Sequence, residues 1–459
     1  MGSIERELDD IQGNILRAYG FPFARYEVVR IINRNNARRL MTSVLDQQLV
    51  TTAAAWDPDS KPAATLNVFF SWTGLEAIGV PQASLDSFPE EFRQGMAARA
   101  ALLGDTAANA PDTWEFGNDP DRNHVFFAVY GRSLADRDRL LEKLQAELAA
   151  VAPAVEVTHQ LDAAMLPSGR EHFGFADGFG QPSIQGSGAP VFPGEGTLQP
   201  DGTWAPLAAG EFVLGWPGET GQPVAMPQPD ALAHNGSFLV YRKLEQHVPA
   251  FRTFLKAQAE RLYGDASAPN IELLAAKLVG RWRSGCPLAL SADADDPALA
   301  EDWHRNNRFN YAADVTGETC PYGSHIRRMN PRDGRTGGGL VRTHRIVRRG
   351  LPYGRWLADE VDDGEKRGVA FMAINASIRY QFEFLQTEWM NNGEFAGLNR
   401  NDVDPFVGEP RNGSRFRIPD PRGVPKNIFD LPAFVTLRGG GYYFVPSIKA
   451  MRFIGAQSA

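Results

Sequence analysis

Apolar positions alternate with polar ones, or recur every three to four residues, in two separate stretches of the chain. In the first stretch Tyr26–Ile32 reads as a strand and Asn35–Gln48 as a helix. Thr65–Ser71 is a second strand, and Thr73–Ala77 opens a short helix. His124–Tyr130 is a third strand. Ser133–Ala149 is a helix patterned by Leu134, Leu140, Leu141, Leu144 and Leu148, and Val155–Gln160 closes the stretch as a strand. The second stretch restarts the same grammar. Ser237–Tyr241 reads as a strand, and Leu244–Leu262 as a helix with Val248, Phe251, Phe254, Leu255 and Leu262 on one face. Gly368–Ile374 is a strand that enters a helix near Ser377–Trp389. Ala433–Leu437 and Tyr442–Val445 read as a hairpin around Gly439, Gly440 and Gly441. Strands separated by helices, with room for antiparallel pairing, suit a ferredoxin-like α+β module. Their recurrence predicts a duplicated α+β fold.

The division that follows is an N-terminal module over residues 1–163, a linking segment over 164–234, and a C-terminal module over 235–459. The linking segment is rich in Gly and Pro and poor in helical pattern, and so long a loop in a compact protein is usually functional or disordered. The tail Gln457–Ala459 is expected to fray. Apolar content of 43% is ample for a packed core, and no stretch approaches a membrane span. The acidic start lacks the apolar segment of a secretory signal, which predicts a cytoplasmic protein, or a secreted one if the chain is a processed form. A net charge of −8 argues against nucleic acid as a partner. The two cysteines, Cys286 and Cys320, make no disulfide framework and read as reduced thiols, with one disulfide between them as the alternative.

Three segments change the picture from fold to chemistry. Cys320–Arg332 places His325 between a Gly-Ser turn and the run Arg327, Arg328, Arg332, in a chain with only eight histidines. An imidazole there can bind a metal, and the arginines can neutralise acidic groups beside it; haem supplies both an iron and two carboxylates. His172–Pro182 contains Gly174, Asp177 and Gly178 as a Gly-x-x-Asp-Gly motif, and His344–Gly354 carries Arg348 and Arg349 before Gly-Leu-Pro-Tyr-Gly. Each has a plainer reading, as a basic surface loop, an Asp-Gly turn or a solvated basic face.

Taken together and in order, these segments resemble the dye-decolorizing peroxidase family of haem enzymes, most of all its large-chain subgroup. The resemblance extends through Asp10–Leu16, Val279–Arg283, Gln381–Phe384, Asp404–Gly408 and Phe434–Gly440. It implies two ferredoxin-like modules with haem held mainly by the C-terminal one. It implies His325 as the axial iron ligand, Asp404 as the carboxylate behind it with Asp402 as fallback, and Asp177 as the distal acid/base. An arginine of the Arg348–Arg349 pair is the distal cation, and Arg348 is favoured. Val369 and Phe371 are expected to wall the haem, with core packing as the alternative. Arg332, with Arg327 and Arg328, is a candidate for the haem propionates. His172 is a competing distal base but reads as structural.

No Cys-x-x-Cys-His occurs, so the expectation is one non-covalent haem b per chain. The implied activity is oxidation of aromatic and phenolic compounds and dyes by H2O2 through a ferryl intermediate, in a monomer or homodimer. Bulky dyes would need surface Trp or Tyr residues as electron relays, and Tyr353 and Trp356 lie near Arg348 in sequence. The acidic runs Glu360–Glu365 and Asp293–Asp296 offer carboxylates for Mn(II). The alternative is a non-catalytic haem carrier of the same fold, which has no need of both Asp177 and Arg348.

Overall fold

The computed structural model describes residues 3–153, 155–332, 341–358, 361–409 and 412–456. Glu360 of the first acidic run and the tail 457–459 lie outside them. The first module runs β1 (Phe23–Ile31), α1 (Arg34–Asp46), β2 (Ala64–Phe70), β3 (Val125–Gly131), α2 (Leu134–Ala150) and β4 (Val155–Ala164). Its strands lie in the order β4-β1-β3-β2, all antiparallel, which is the ferredoxin-like arrangement. The second module repeats it. It runs β5 (Ser237–Gln246), α3 (Val248–Tyr263), α4 (Ala268–Val279), α5 (His325–Met329), β6 (Val347–Arg348), β7 (Leu351–Tyr353), β8 (Gly368–Asn375), β9 (Val435–Val445) and α6 (Ile448–Gly455). There β9-β5-β8 run in sequence, and β6 and β7 both pair with the outer edge of β8. The two halves join where Phe444 of β9 faces Phe70 of β2.

The strand period of two decides what each face touches. On β3, Phe126, Ala128 and Tyr130 enter one buried cluster, while Val125, Phe127 and Val129 enter another. The first cluster is the inner face of the curled sheet, where both modules meet. Tyr130 Oη donates to the Arg349 carbonyl at 3.2 Å and lies 3.3 Å from Met372 Sδ, across from its own strand. The second cluster packs the outer face against helices such as α1, whose Leu40, Met41 and Val44 are buried and whose Asn33 side chain caps its first turn.

Two expectations are corrected. Leu244–Gln246 continue β5 rather than opening the helix, which starts at Val248. The predicted hairpin at Gly439–Gly441 is one uninterrupted strand, β9, with a bulge between Leu437 and Gly440. Its glycines serve close approach rather than a turn, since a Cβ on Gly440 would lie 2.5 Å from the Tyr241 carbonyl oxygen. Between the modules, residues 164–234 are mostly irregular, with a short hairpin pairing Thr197–Leu198 with Trp204–Ala205. Cys286 and Cys320 are both buried and unpaired. No helix among the described residues is long and apolar enough to cross a membrane.

Candidate functional site

Against the outer face of the second module lies a cavity of about 520 Å³. That is the size of a ligand pocket, about 300–1,000 Å³, rather than of a packing defect. Leu244 of β5, Leu437 of β9, Val369 and Phe371 of β8 and Arg348 of β6 form its sheet wall. His325, Ile326 and Met329 of α5, with Phe406 and Val407, form another wall. Asp177 enters from the linking segment.

α5 is held from below. Ser324, its N-cap, is fully buried and donates its hydroxyl to the Lys277 carbonyl of α4 at 2.5 Å. Ile326 packs on Gly280, where a Cβ would lie 2.4 Å from Ile326 Cγ1, so the Val279–Arg283 stretch needs its glycine. His325 therefore presents its ring to the cavity, edge-on to Phe406 at 5.9 Å. Its Nδ1 is 2.9 Å from Asp404 Oδ2. The other Asp404 oxygen accepts from the Phe406 and Val407 amides at 2.9 and 3.0 Å. The turn expected of Asp-Pro and the histidine contact thus use one oxygen each. Burial would raise the Asp404 carboxyl, but His325 and the two amides outweigh it and hold it below the usual carboxylate range. An ionised Asp404 can only accept, so Nδ1 carries the hydrogen of this bond and Nε2 is left for another partner. Asp402 is engaged elsewhere, by Arg415 at 2.8 and 3.0 Å.

Arg348 and Arg349 differ by strand parity. Arg348 is paired in register with Ala373, so it shares the face of Val369 and Phe371. Its Nη1 donates to Asp177 Oδ1 at 2.8 Å and its Nη2 to the Phe179 carbonyl at 2.7 Å. Gln181 clamps its backbone, accepting from its N–H and donating to its carbonyl, both at 3.1 Å. Arg349 points to the other face, where Nε donates to the Asn14 carbonyl at 2.9 Å. Burial pushes its guanidinium down to about 10.

Asp177 is 61% exposed in its side chain, and that exposure opens into the cavity. Its Oδ1 also accepts from the Gly178 amide at 2.6 Å, which leaves Oδ2 open. The Arg348 charge, more than any other influence, holds its carboxyl below the usual range; burial opposes this, and the Gly178 bond and His325 add to it. His172 is buried off the cavity, with Nε2 on the Tyr353 carbonyl at 2.8 Å, and burial lowers it to about 4.

Arg332 lines the cavity, donating to the Asn307 and Phe309 carbonyls at 3.1 and 2.9 Å. Arg327 and Arg328 do not. Arg327 is buried against Asp314 between Tyr311 and Tyr322, and Arg328 donates to the carbonyls of Trp389 and Asp402. Among the other arginines on the cavity are Arg281 and Arg345, to which sequence reasoning gave no place there. Burial first, then the charges of Arg332 and Arg348, push both guanidinia down to about 10. Four guanidinium groups thus converge on one end of the cavity. The only signal was their place inside segments already singled out, Val279–Arg283 and His344–Gly354. Of the suggested relays, Tyr353 is buried and Trp356 is 38% exposed beside His172. No group of three or more His, Cys, Asp or Glu suited to a metal ion forms among the described residues.

Residues 10–167 match the model of the DyP dimeric alpha+beta barrel domain, and residues 217–409 match the Dyp-type peroxidase C-terminal model. The chain belongs to the DyP-type peroxidase family. A dye-decolorizing peroxidase of Mycena epipterygia is 32% identical, over 98% of this chain and 87% of its own. The solved structure of a dye-decolorizing peroxidase in complex with 2,6-dimethoxyphenol has a TM-score of 0.84 at 30% identity, covering 98% of this chain and 99% of that one. Another, from work on asymmetric sulfoxidation by engineering a haem pocket, has a TM-score of 0.81 at 27% identity, covering 98% and 99%. The chain is therefore a peroxidase with the DyP α+β barrel fold, and DyP-type peroxidases depend on haem. The cavity fits that group. It offers an apolar sheet wall, an imidazole with Nε2 available, and the crowded guanidinium groups of Arg281, Arg332 and Arg345, which carboxylates would neutralise.

Proposed function

We propose that the chain uses H2O2 to oxidise aromatic and phenolic compounds and dyes, with one non-covalent haem b in the cavity. One observation carries this reading: Asp177 and Arg348 form an ion pair at the same cavity that receives His325. A carrier would need the imidazole and the guanidinium groups, but not a carboxylate with one oxygen kept open beside a fixed cation. Val369 and Phe371 give the apolar wall, and Arg332 with Arg281 and Arg345 takes the carboxylates of the group. The relative solved with 2,6-dimethoxyphenol supports a phenolic reductant.

When bound, haem supplies the iron and the redox chemistry. The chain supplies orientation, charge and a proton path. His325 offers Nε2, and Asp404 fixes the ring and raises its basicity. Asp177 Oδ2 takes the proton from the near oxygen of the peroxide and returns it to the far one. Arg348 keeps its charge at any working pH and would stabilise the negative charge that develops on the far oxygen until that proton arrives and water departs.

Two expected outcomes follow. Asp404→Asn keeps the shape of the turn but removes the charge behind His325. Haem affinity should fall roughly 10–100-fold, the usual range for such a partner. Titration of the haem-free protein with haem reads this directly, and an unchanged affinity would remove Asp404 from the role. The second concerns pH. Asp177 accepts a proton only when ionised, and Arg348 holds its carboxyl below the ordinary value of about 4. The peroxide step should therefore stay fast in mildly acidic solution and fall only as pH drops through that lowered value. Asp177→Asn should slow the step and abolish the dependence. Stopped-flow absorbance across pH tests both. A pH dependence that survives in Asp177→Asn and disappears in His172→Ala would instead make His172 the base.

A further inference from the structure

The segment that carries Asp177 has almost no regular structure of its own, yet Asp177 must stand in register with Arg348, which sits on the sheet. Something has to tie the loop to the sheet. Loop 170–176 is folded around the side chain of Glu171. Glu171 Oε2 accepts from the Phe173 amide at 2.9 Å, and Oε1 accepts from the Phe175 amide at 2.9 Å. The backbone closes around the same residue, with Glu171 N–H donating to the Phe175 carbonyl at 2.9 Å and Gly174 N–H to the Glu171 carbonyl at 2.8 Å. An antiparallel bridge between Arg170 and Ala176 seals the neck, one residue before Asp177.

The tie to the sheet is Gln246. It belongs to β5, the strand whose Leu244 helps form the sheet wall, and its Nε2 donates to Glu171 Oε2 at 2.5 Å. From the other side Arg283 donates to the Phe173 carbonyl, and its own carbonyl accepts from the Ala176 amide at 2.9 Å. Gln181 then clamps the far end of the loop to Arg348. Glu171 lines the cavity itself, and its carboxyl is pushed up by burial, an effect offset by its three bonds and reinforced by the Asp177 charge.

We propose that Glu171 is a positioning residue for the peroxide step: its carboxylate is the internal scaffold that sets the Asp177 loop against the sheet carrying Arg348. This rests on the peroxidase reading. No other side chain of its length does the same work. An aliphatic one leaves the amides of Phe173 and Phe175 without acceptors. An amide has a single oxygen, so one of the two N–H groups would face an NH2.

Glu171→Gln is the test, made in the haem-loaded protein, with Gln246→Leu as a second variant that removes only the tie to the sheet. The rate of the peroxide-induced spectral change should fall about 10–100-fold in Glu171→Gln, the range expected of a misplacement of order 1 Å. Haem content and the KM for a phenolic reductant should stay as in the parent. Hydrogen exchange at the Phe173 and Phe175 amides should speed up in the same protein. Gln246→Leu should show a smaller loss in the same step only. A parent-like peroxide rate in Glu171→Gln overturns the proposal, and so does an equal fall in peroxide and reductant steps with loss of haem. If Glu171→Gln does not fold, the same readouts on Gln246→Leu decide. If the parent itself gives no spectral response to peroxide, the peroxidase reading fails, while the exchange arm still judges the scaffold.

Discussion

His325→Ala is expected to yield a folded protein that retains almost no haem. Only His325 among the eight histidines combines a place on the cavity with a buried carboxylate on Nδ1. His172 and His344 are both spoken for, by the Tyr353 and Tyr380 carbonyls. Loss of the ligand itself should exceed the roughly 10–100-fold cost of losing only its partner. The fold should survive, because α5 is anchored through Ser324 and Ile326 rather than through the imidazole. Haem titration and far-UV circular dichroism of the same sample separate the two effects. Near-normal haem binding with an unchanged ferric spectrum would mean that another residue ligates the iron.

The second large effect is at Arg348. Arg348→Ala should slow the peroxide step by about 10²–10³-fold, as removal of a fixed donor to a developing charge does elsewhere. It should also move the acid limb of the pH profile upward. Arg348 is the main influence holding the Asp177 carboxyl down, so without it the carboxylate is protonated at higher pH. Arg349→Ala makes the sharp comparison. Its guanidinium serves the carbonyls of Asn14 and Ile15 on the other face of the strand, and leaving such groups unsatisfied costs about 1–3 kcal/mol. That variant should lose melting temperature and keep its peroxide rate. If Arg349→Ala is the slow one, the distal cation moves by one residue.

The strand-helix grammar was legible because most of the strands are long enough for their period to show. β6 is not, since two residues, Val347 and Arg348, carry no period. That is why the sequence left Arg348 and Arg349 open, whereas pairing with β8 puts only Arg348 on the face of Val369 and Phe371. The reading of Gly439–Gly441 as a turn failed because glycine is equally demanded where two backbones crowd. The helix near Ser377–Trp389 exists, but as π-helical stretches over Arg379–Glu383 and Leu385–Met390, which no apolar spacing announces. Single residues with unusual local company, His325, Asp177 and Asp404, were singled out on the sequence, and the structure brings His325 and Asp177 to one cavity with Asp404 on the His325 ring. Arg281, Arg345 and Glu171 were given no place at the site, because what marks them is their convergence on the cavity in space.

The most direct test of the whole account is an absorption spectrum of the purified, haem-loaded protein before and after one equivalent of H2O2. The account predicts a Soret band at the start, a rapid shift on adding peroxide, and a return when a phenol is added. A Soret band that peroxide leaves unchanged would contradict it and make the cavity a site for holding haem rather than using it.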